Sequence, residues 1–397
     1  MTETDTRVLD WPLPRTSIDS PPAALAELRQ GPPCKVRLRD DQYAWLITRH
    51  ADVKQALNDS RLSVDDQNPG FPNRLLLKLE PRIQSFWRMD PPEHSRLRKM
   101  VMVEFTAHRV AAMRPQIQQT VDALLDEVER LPRPFDLYQS FALPLPCAVI
   151  GRIFGVPGED MADFQRHSNA LLNQEAPEEA FASYIATTQY LDRLCGERDL
   201  APQDDLISRL VTDYMRPGLL SREDLVAMVR LMLVAGHETT ANQIALSLLT
   251  LLRRPELAAS LREDPSTVRP LVEELLRFWS IPQDNVVRVA ATDLEIGGVP
   301  IPAGDGVIIS IPAANHDEAV FPRAAEFDPS RDTRAHLAFG HGVHHCPGGP
   351  LAALELELAL LRVAERFPDM RLAVPAEEVP FRTSSLVYGL HELPVTW

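Results

Sequence analysis

Residues 335–351, AHLAFGHGVHHCPGGPL, place one cysteine, four histidines and four glycines within seventeen positions. Cys346 is followed by Pro347-Gly-Gly-Pro350, and those prolines suit a first helical turn, where a backbone N–H is dispensable. A thiol at a helix start meets unpaired N–H groups and the positive end of the helix dipole, both of which favour a thiolate. Phe339-Gly-His-Gly342 sets two glycines at alternate positions, which permits a tight bulge. Gly348 and Gly349 let a large flat group approach the backbone. His341, His344, His345 and Cys346 carry the atom types of a zinc site, but four ligands within six residues do not easily wrap a tetrahedron. A nucleophilic cysteine needs a histidine beside it in space, which adjacency in sequence does not supply. Gly340-x-Gly342 lacks the third glycine of a dinucleotide loop, since His345 stands there. A buried cysteine in a glycine-rich turn is the plain alternative.

Other groupings carry chemistry-bearing types at helical spacing. Ala235-Gly236-His237-Glu238-Thr239-Thr240 joins a carboxylate to a hydroxyl. A glycine inside a helix costs about 1 kcal/mol relative to alanine, and a threonine hydroxyl bonds back to a carbonyl one turn earlier, bending the helix. Glu274-Leu-Leu-Arg277 sets an acid and a base one turn apart, a spacing that ordinary surface pairs share. His94 and Arg98 fall four apart on one helical face, and Arg288 lies in an extended stretch.

These residues need a frame. Ser221-Arg-Glu-Asp224 fits a helix cap with an acidic third position, and apolar residues recur from Leu225 at helical spacing. The spacing predicts a helix to about Arg253, roughly 45 Å long at 1.5 Å per residue, a central beam for the fold. Further helices are expected at 109–130, 138–154, 160–173, 178–197, 203–214, 266–280 and 351–367, with one opening at Glu93 after Pro91-Pro92. Lys35–Arg49 reads as a hairpin turning at Asp40-Asp41, 285–296 and 306–311 as extended, and the tail ending HELPVTW as β-rich. The fold class is mainly α with a smaller β portion, and 1–397 is read as a single domain.

The chain has 397 residues, enough for a deep core with a buried pocket, and 45% are hydrophobic. A formal charge of −15 opposes nucleic-acid binding. The acidic start shows no signal-peptide pattern and no apolar run reaches a membrane span, so a cytoplasmic protein without membrane attachment is expected. Cys34, Cys147, Cys195 and Cys346 show no repeating spacing and are expected as free thiols.

Phe339-Gly-x-Gly342-x-His344-x-Cys346-x-Gly348 resembles the haem-binding signature of the cytochrome P450 superfamily. The other groupings follow in the order that family requires. The resemblance implies the cytochrome P450 fold, a large helical bundle around a long central helix with a smaller β-rich portion. It implies haem b with Cys346 as the axial ligand to iron, and His344, His94, Arg98 and Arg288 as partners of the haem propionates. Ala235, Gly236, Phe339 and Gly348 would lie against the haem. Glu238 and Thr239 would manage protons for oxygen activation, and Arg331 would join Glu274 and Arg277 in a buried structural triad. Within the family the chain resembles streptomycete enzymes of secondary metabolism and xenobiotic oxidation. Gly349-Pro350 and His316 depart from commoner pairs.

The implied reaction inserts one oxygen atom of O2 into an organic substrate. Electrons would come from a ferredoxin and its NAD(P)H-dependent reductase. Arg96, Arg98, Lys99 and Arg109 against Glu93 and Glu104 leave the 93–109 stretch locally positive, a candidate dock for the acidic ferredoxin. A peroxygenase or isomerase of the same fold, and a non-catalytic haem carrier or sensor, are the rival readings.

Overall fold

The computed structural model describes residues 8–38, 41–72, 85–171, 177–283, 286–383 and 385–397. Two compact units emerge: Met1–Arg74 with Arg88–Asp90 and Glu274–His345, and Leu75–Trp87 with Pro91–Glu273 and Cys346–Trp397.

The first unit is built on a mixed sheet. Its strands run in the order Leu9–Asp10, Cys34–Arg37, Tyr43–Ile47, Gly306–Ile309, Val287–Ala290, Leu62–Ser63. The expected hairpin is present, with Cys34 opposite Leu46 and Arg37 opposite Tyr43. Asp41 has φ 60°, and Asp40 lies outside the described residues. Successive residues feed opposite faces. Ile47, Val307 and Ile309 enter one apolar cluster, while Leu46, Ala44 and Ile308 enter another. The sheet is therefore covered on both sides, which explains why these strands read as nearly continuous apolar runs. Helices His50–Asn58 and Ile311–Asn315 belong here and escaped the periodicity reading.

The second unit is helical. The predicted central beam is one helix, Arg222–Arg253. Ser221 caps it: its Oγ accepts from the Asp224 N–H at 3.0 Å and donates to that side chain at 2.7 Å. Helices Pro144–Phe154, Pro177–Leu200, Pro255–Glu263 and Gly349–Arg366 pack against it. This surround buries the beam on nearly every side, so its sequence is apolar all round rather than on one stripe.

Differences from expectation have local causes. The 138–154 segment splits into a π turn, Tyr138–Ala142, and a helix starting at Pro144, whose missing N–H suits a first turn. The 203–214 segment becomes Leu206–Leu210 followed by a π turn, Val211–Met215. Pro255–Glu263 was overlooked because its proline sits immediately after the beam. The β-rich tail is confirmed: Arg371–Leu372 and Pro394–Thr396 pair, and Phe135–Asp136 completes that sheet. No helix among the described residues is long and apolar enough to cross a membrane.

Candidate active site

Cys346 lies just ahead of the Gly349–Arg366 helix, whose N-cap is Gly348. The N–H groups of Gly348 and Gly349 donate towards its sulfur, and the Arg98 guanidinium acts on it through space. All three pull towards the thiolate; the sequence suggested the N–H groups, whereas Arg98 was expected only at a propionate. Burial outweighs them, and the Cys346 thiol is pushed above its ordinary value. The protein alone thus prepares an anion without securing it, and a cationic partner at sulfur would complete the balance. This donor set, one soft sulfur with two backbone N–H groups and a cation, fits an iron–thiolate bond.

Arg98 shares a face of helix Glu93–Met102 with His94. Burial lowers the Arg98 pKa and the nearby Cys346 sulfur opposes that shift. His94 is buried, its ring 6.2 Å from that of Phe86.

On the beam, Ala235 is exposed and Arg230, Leu231, Val234, Gly236 and Thr239 are half-buried, while the turns that follow from Thr240 are closed. Ala235 and Thr239 give this face small and hydroxyl side chains, with the apolar Leu231 and Val234 beside them. Thr239 Oγ1 donates to the Ala235 carbonyl at 2.7 Å, and Thr240 Oγ1 to that of Gly236 at 3.0 Å. A Cβ at Gly236 would meet Ile150 of the neighbouring helix at 3.1 Å. Gly236 thus serves close helix packing, and Ala235 is the residue that leaves room on the open face. The helix is unbroken through this turn.

Glu238 and Thr239 are adjacent in sequence but about 100° apart around the helix, so they do not face each other. Glu238 is buried and turned towards the tail, where Arg382 Nη1 donates to its Oε1 at 2.5 Å. Asn242 Nδ2 donates to the same oxygen at 3.2 Å and to the Glu238 carbonyl at 2.8 Å. Arg382 was missed by sequence reasoning, because no spacing rule links position 382 to 238.

In the first unit, Gly340 and Gly342 adopt φ 73° and 74°, the left-handed region that favours glycine, in a tight turn rather than a strand bulge. A Cβ at Gly342 would lie 2.7 Å from the Leu57 carbonyl oxygen. Phe339 packs edgewise on His345, with ring centroids 6.4 Å apart. His344 ends the short turn Gly342–His344. Arg288 is buried in its strand; Nη1 donates to the Val287 carbonyl at 2.8 Å. Burial lowers its pKa to about 10, Arg88 adds to that and Asp90 opposes it. Among the described residues no carboxylate forms an ion pair with Arg288, so this buried guanidinium suits an anionic group.

The triad is present. Arg277 forks onto Glu274 at 2.7 and 2.8 Å, both fully buried. It also donates to the carbonyls of Asn315, Ala324 and Glu326 at 2.8, 2.9 and 3.3 Å. Arg331 approaches Glu274 at 3.5 Å and the Asp328 N–H donates to it at 2.9 Å. Asn315, another residue not singled out from sequence, accepts from the Leu337 N–H at 2.7 Å and donates to Ser280 at 2.8 Å. It thereby anchors the segment leading to Phe339. His316 is buried beside Arg277, and burial first, then that charge, drives its pKa down to about 3. The departure at this position places a neutral ring next to the triad.

In the basic stretch 93–109 the two acids are matched by two of the arginines, so the net positive charge rests on Arg98 and Lys99. Arg96 pairs with Glu93 at 2.5 Å, Arg109 pairs with Glu104 at 3.0 Å, and Arg98 engages Cys346. Lys99 is exposed and forms no ion pair among the described residues.

The fold is that of a cytochrome P450, and the chain belongs to that family: the Cytochrome P450 pattern matches residues 189–387. Among its relatives, Cytochrome P450-SU2 of Streptomyces griseolus is 44% identical over 97% of this chain and 95% of its own length. Pentalenic acid synthase of Streptomyces avermitilis is 41% identical over the whole of both chains. The solved structure of mycinamicin VIII C21 methyl hydroxylase MycCI from Micromonospora griseorubida superposes with a TM-score of 0.94 at 38% identity, covering 98% of this chain and all of that one. The protein is an enzyme of the P450 monooxygenase class, and the family's haem-thiolate chemistry, small-molecule substrates and O2 come with membership.

Proposed function

We propose that Cys346 is the axial ligand of haem b and that the enzyme oxidises a small or medium-sized apolar or amphipathic molecule in bacterial secondary metabolism. The observation that carries the ligand assignment is the Cys346 sulfur, met by the Gly348 and Gly349 N–H groups and the charge of Arg98. Arg288, His94, Arg98 and His344 are the proposed propionate partners, with Ala235, Phe339 and Gly348 against the ring and Gly236, packed on Ile150, facing it only by its backbone. When bound, haem supplies the iron at which O2 is reduced by two electrons with two protons. The chain's own part is to hold the sulfur, exclude water along the closed turns of the beam, and present Thr239 and Glu238 for proton handling. Ferredoxin and an NAD(P)H-dependent reductase are the proposed electron donors, which places the enzyme in the cytoplasm with that reductant. The cysteine signature is covalently continuous from Phe339 to Gly348, and we read 1–397 as one functional domain. The relatives named for pentalenic acid and mycinamicin VIII support the metabolic setting.

The test is the spectrum of reduced, CO-treated protein, which reports thiolate ligation. Wild type should show the red-shifted carbonyl band and Cys346→His should lose it together with turnover. A Cys346→His protein that keeps both would overturn the assignment. NAD(P)H-driven O2 consumption with product formation separates this reading from a haem carrier or sensor, and dependence on NAD(P)H rather than peroxide separates it from a peroxygenase.

A further inference from the structure

Glu238 is held by a device at the far end of the sequence. The tail folds back on itself: Phe381 bridges Leu390, the Arg382 N–H donates to the Gly389 carbonyl at 2.9 Å, and that of His391 to the Pro380 carbonyl at 2.9 Å. Phe381 and Tyr388 stack with centroids 5.6 Å apart. This strap meets the beam at two points one turn apart. Gly389 lies so close to Asn242 that a Cβ there would sit 1.7 Å from its Oδ1. Arg382 reaches Glu238 Oε1 at 2.5 Å and passes over the Tyr138 ring at 5.1 Å. The groups facing Glu238 are thus Arg382 from the strap, Tyr138 from the π turn, Cys147 from helix Pro144–Phe154, and His237 on its own helix. Arg382 is the sole cation among them, since burial keeps His237 neutral by lowering its pKa.

The two carboxylate oxygens of Glu238 are unequal. Oε1 receives Arg382 and Asn242, whereas Oε2 is buried with no hydrogen-bond partner among the described residues. A buried carboxylate oxygen without a donor is costly. We infer that Arg382 is a positioning residue for proton delivery: by engaging Oε1 it fixes the carboxylate rotamer and reserves Oε2 as the oxygen that takes and releases the proton. The O–H bond forms on Oε2 when a water-borne proton arrives and breaks as the proton passes on. Glu238 returns to its anion, and Arg382 stays protonated throughout. The inference rests on the reading of Glu238 as a proton carrier. It adds that the C-terminal strap sets which oxygen is available.

The experiment uses the holoenzyme and the variants Arg382→Gln, Arg382→Lys, Glu238→Gln and Arg382→Gln/Glu238→Gln. In the infrared spectrum of the ferric protein, Arg382→Gln should gain a protonated-carboxyl C=O stretch that the double variant lacks, because a buried carboxylate without its counter-charge favours the neutral form. Arg382→Lys, which keeps the charge, should not gain it. In substrate-free NADH oxidation through a surrogate ferredoxin and reductase, the share of electrons leaving as peroxide should rise in Arg382→Gln to within about twofold of Glu238→Gln, with Arg382→Lys between them and wild type. An unchanged infrared spectrum in Arg382→Gln overturns the inference, as does a peroxide share that changes in Glu238→Gln but not in Arg382→Gln. A Glu238→Gln protein with wild-type peroxide share and solvent isotope effect, alongside the expected infrared band, sinks the proton-carrier reading instead while leaving the clamp in place.

Discussion

Replacing Arg277 by lysine keeps the charge and removes the fork. Five hydrogen bonds leave this fully buried guanidinium: two to Glu274 and one each to the carbonyls of Asn315, Ala324 and Glu326. A lysine ammonium has three donors, so at least two of those acceptors lose their partner. A buried acceptor left unsatisfied costs about 1–3 kcal/mol, which puts the loss at roughly 2–6 kcal/mol. A whole domain is stable by only about 5–15 kcal/mol. The loss should appear as a lower urea midpoint at unchanged slope for the ferric holoenzyme. Arg96→Lys is the matched control. Arg96 and Glu93 also stand three apart and form a forked pair, but with side chains 42% and 50% exposed, so the change should stay within about 0.5 kcal/mol. If Arg277→Lys shifts stability by no more than Arg96→Lys, the burial argument for the triad is wrong.

Other outcomes follow from the same geometry. Gly340→Ala and Gly342→Ala share the backbone cost of a positive φ, about 1–2 kcal/mol, but the added Cβ of the first meets nothing within 4 Å and that of the second a carbonyl oxygen at 2.7 Å. Thermal melts should therefore rank Gly342→Ala as clearly the more damaging. His316, neutral in the fold down to about pH 3, binds its proton in the unfolded chain below about pH 6.5. Its linkage lowers stability as pH falls from about 6.5 towards 3, by up to about 1.4 kcal/mol per unit, and His316→Gln should flatten the stability profile in that window. Lys99→Glu should weaken ferredoxin-supported turnover and its salt dependence more than Arg96→Glu, since Arg96 is already paired with Glu93. Equal effects would show that the paired charges still steer docking.

The class of enzyme and the beam were legible in the sequence by itself. The left-handed glycines at 340 and 342, the cysteine ahead of a proline-started helix, and the Ser221 cap act through neighbours within a few residues, so local rules reach them. The Phe339–Gly348 signature and the motifs around it made the family legible as a resemblance before any fold was seen. Tertiary structure alone decided which charges matter. Glu93-His-Ser-Arg96 and Glu274-Leu-Leu-Arg277 have the same spacing, yet the first pair is exposed and the second fully buried, because only assembly sets burial. Gly236 turned out to serve the packing of Ile150, and Glu238 turned out to be held by an arginine 144 positions away. Hydrogen bonds and desolvation depend on what surrounds a group in space. Contacts brought together by chain folding leave no periodic trace in the order of residues.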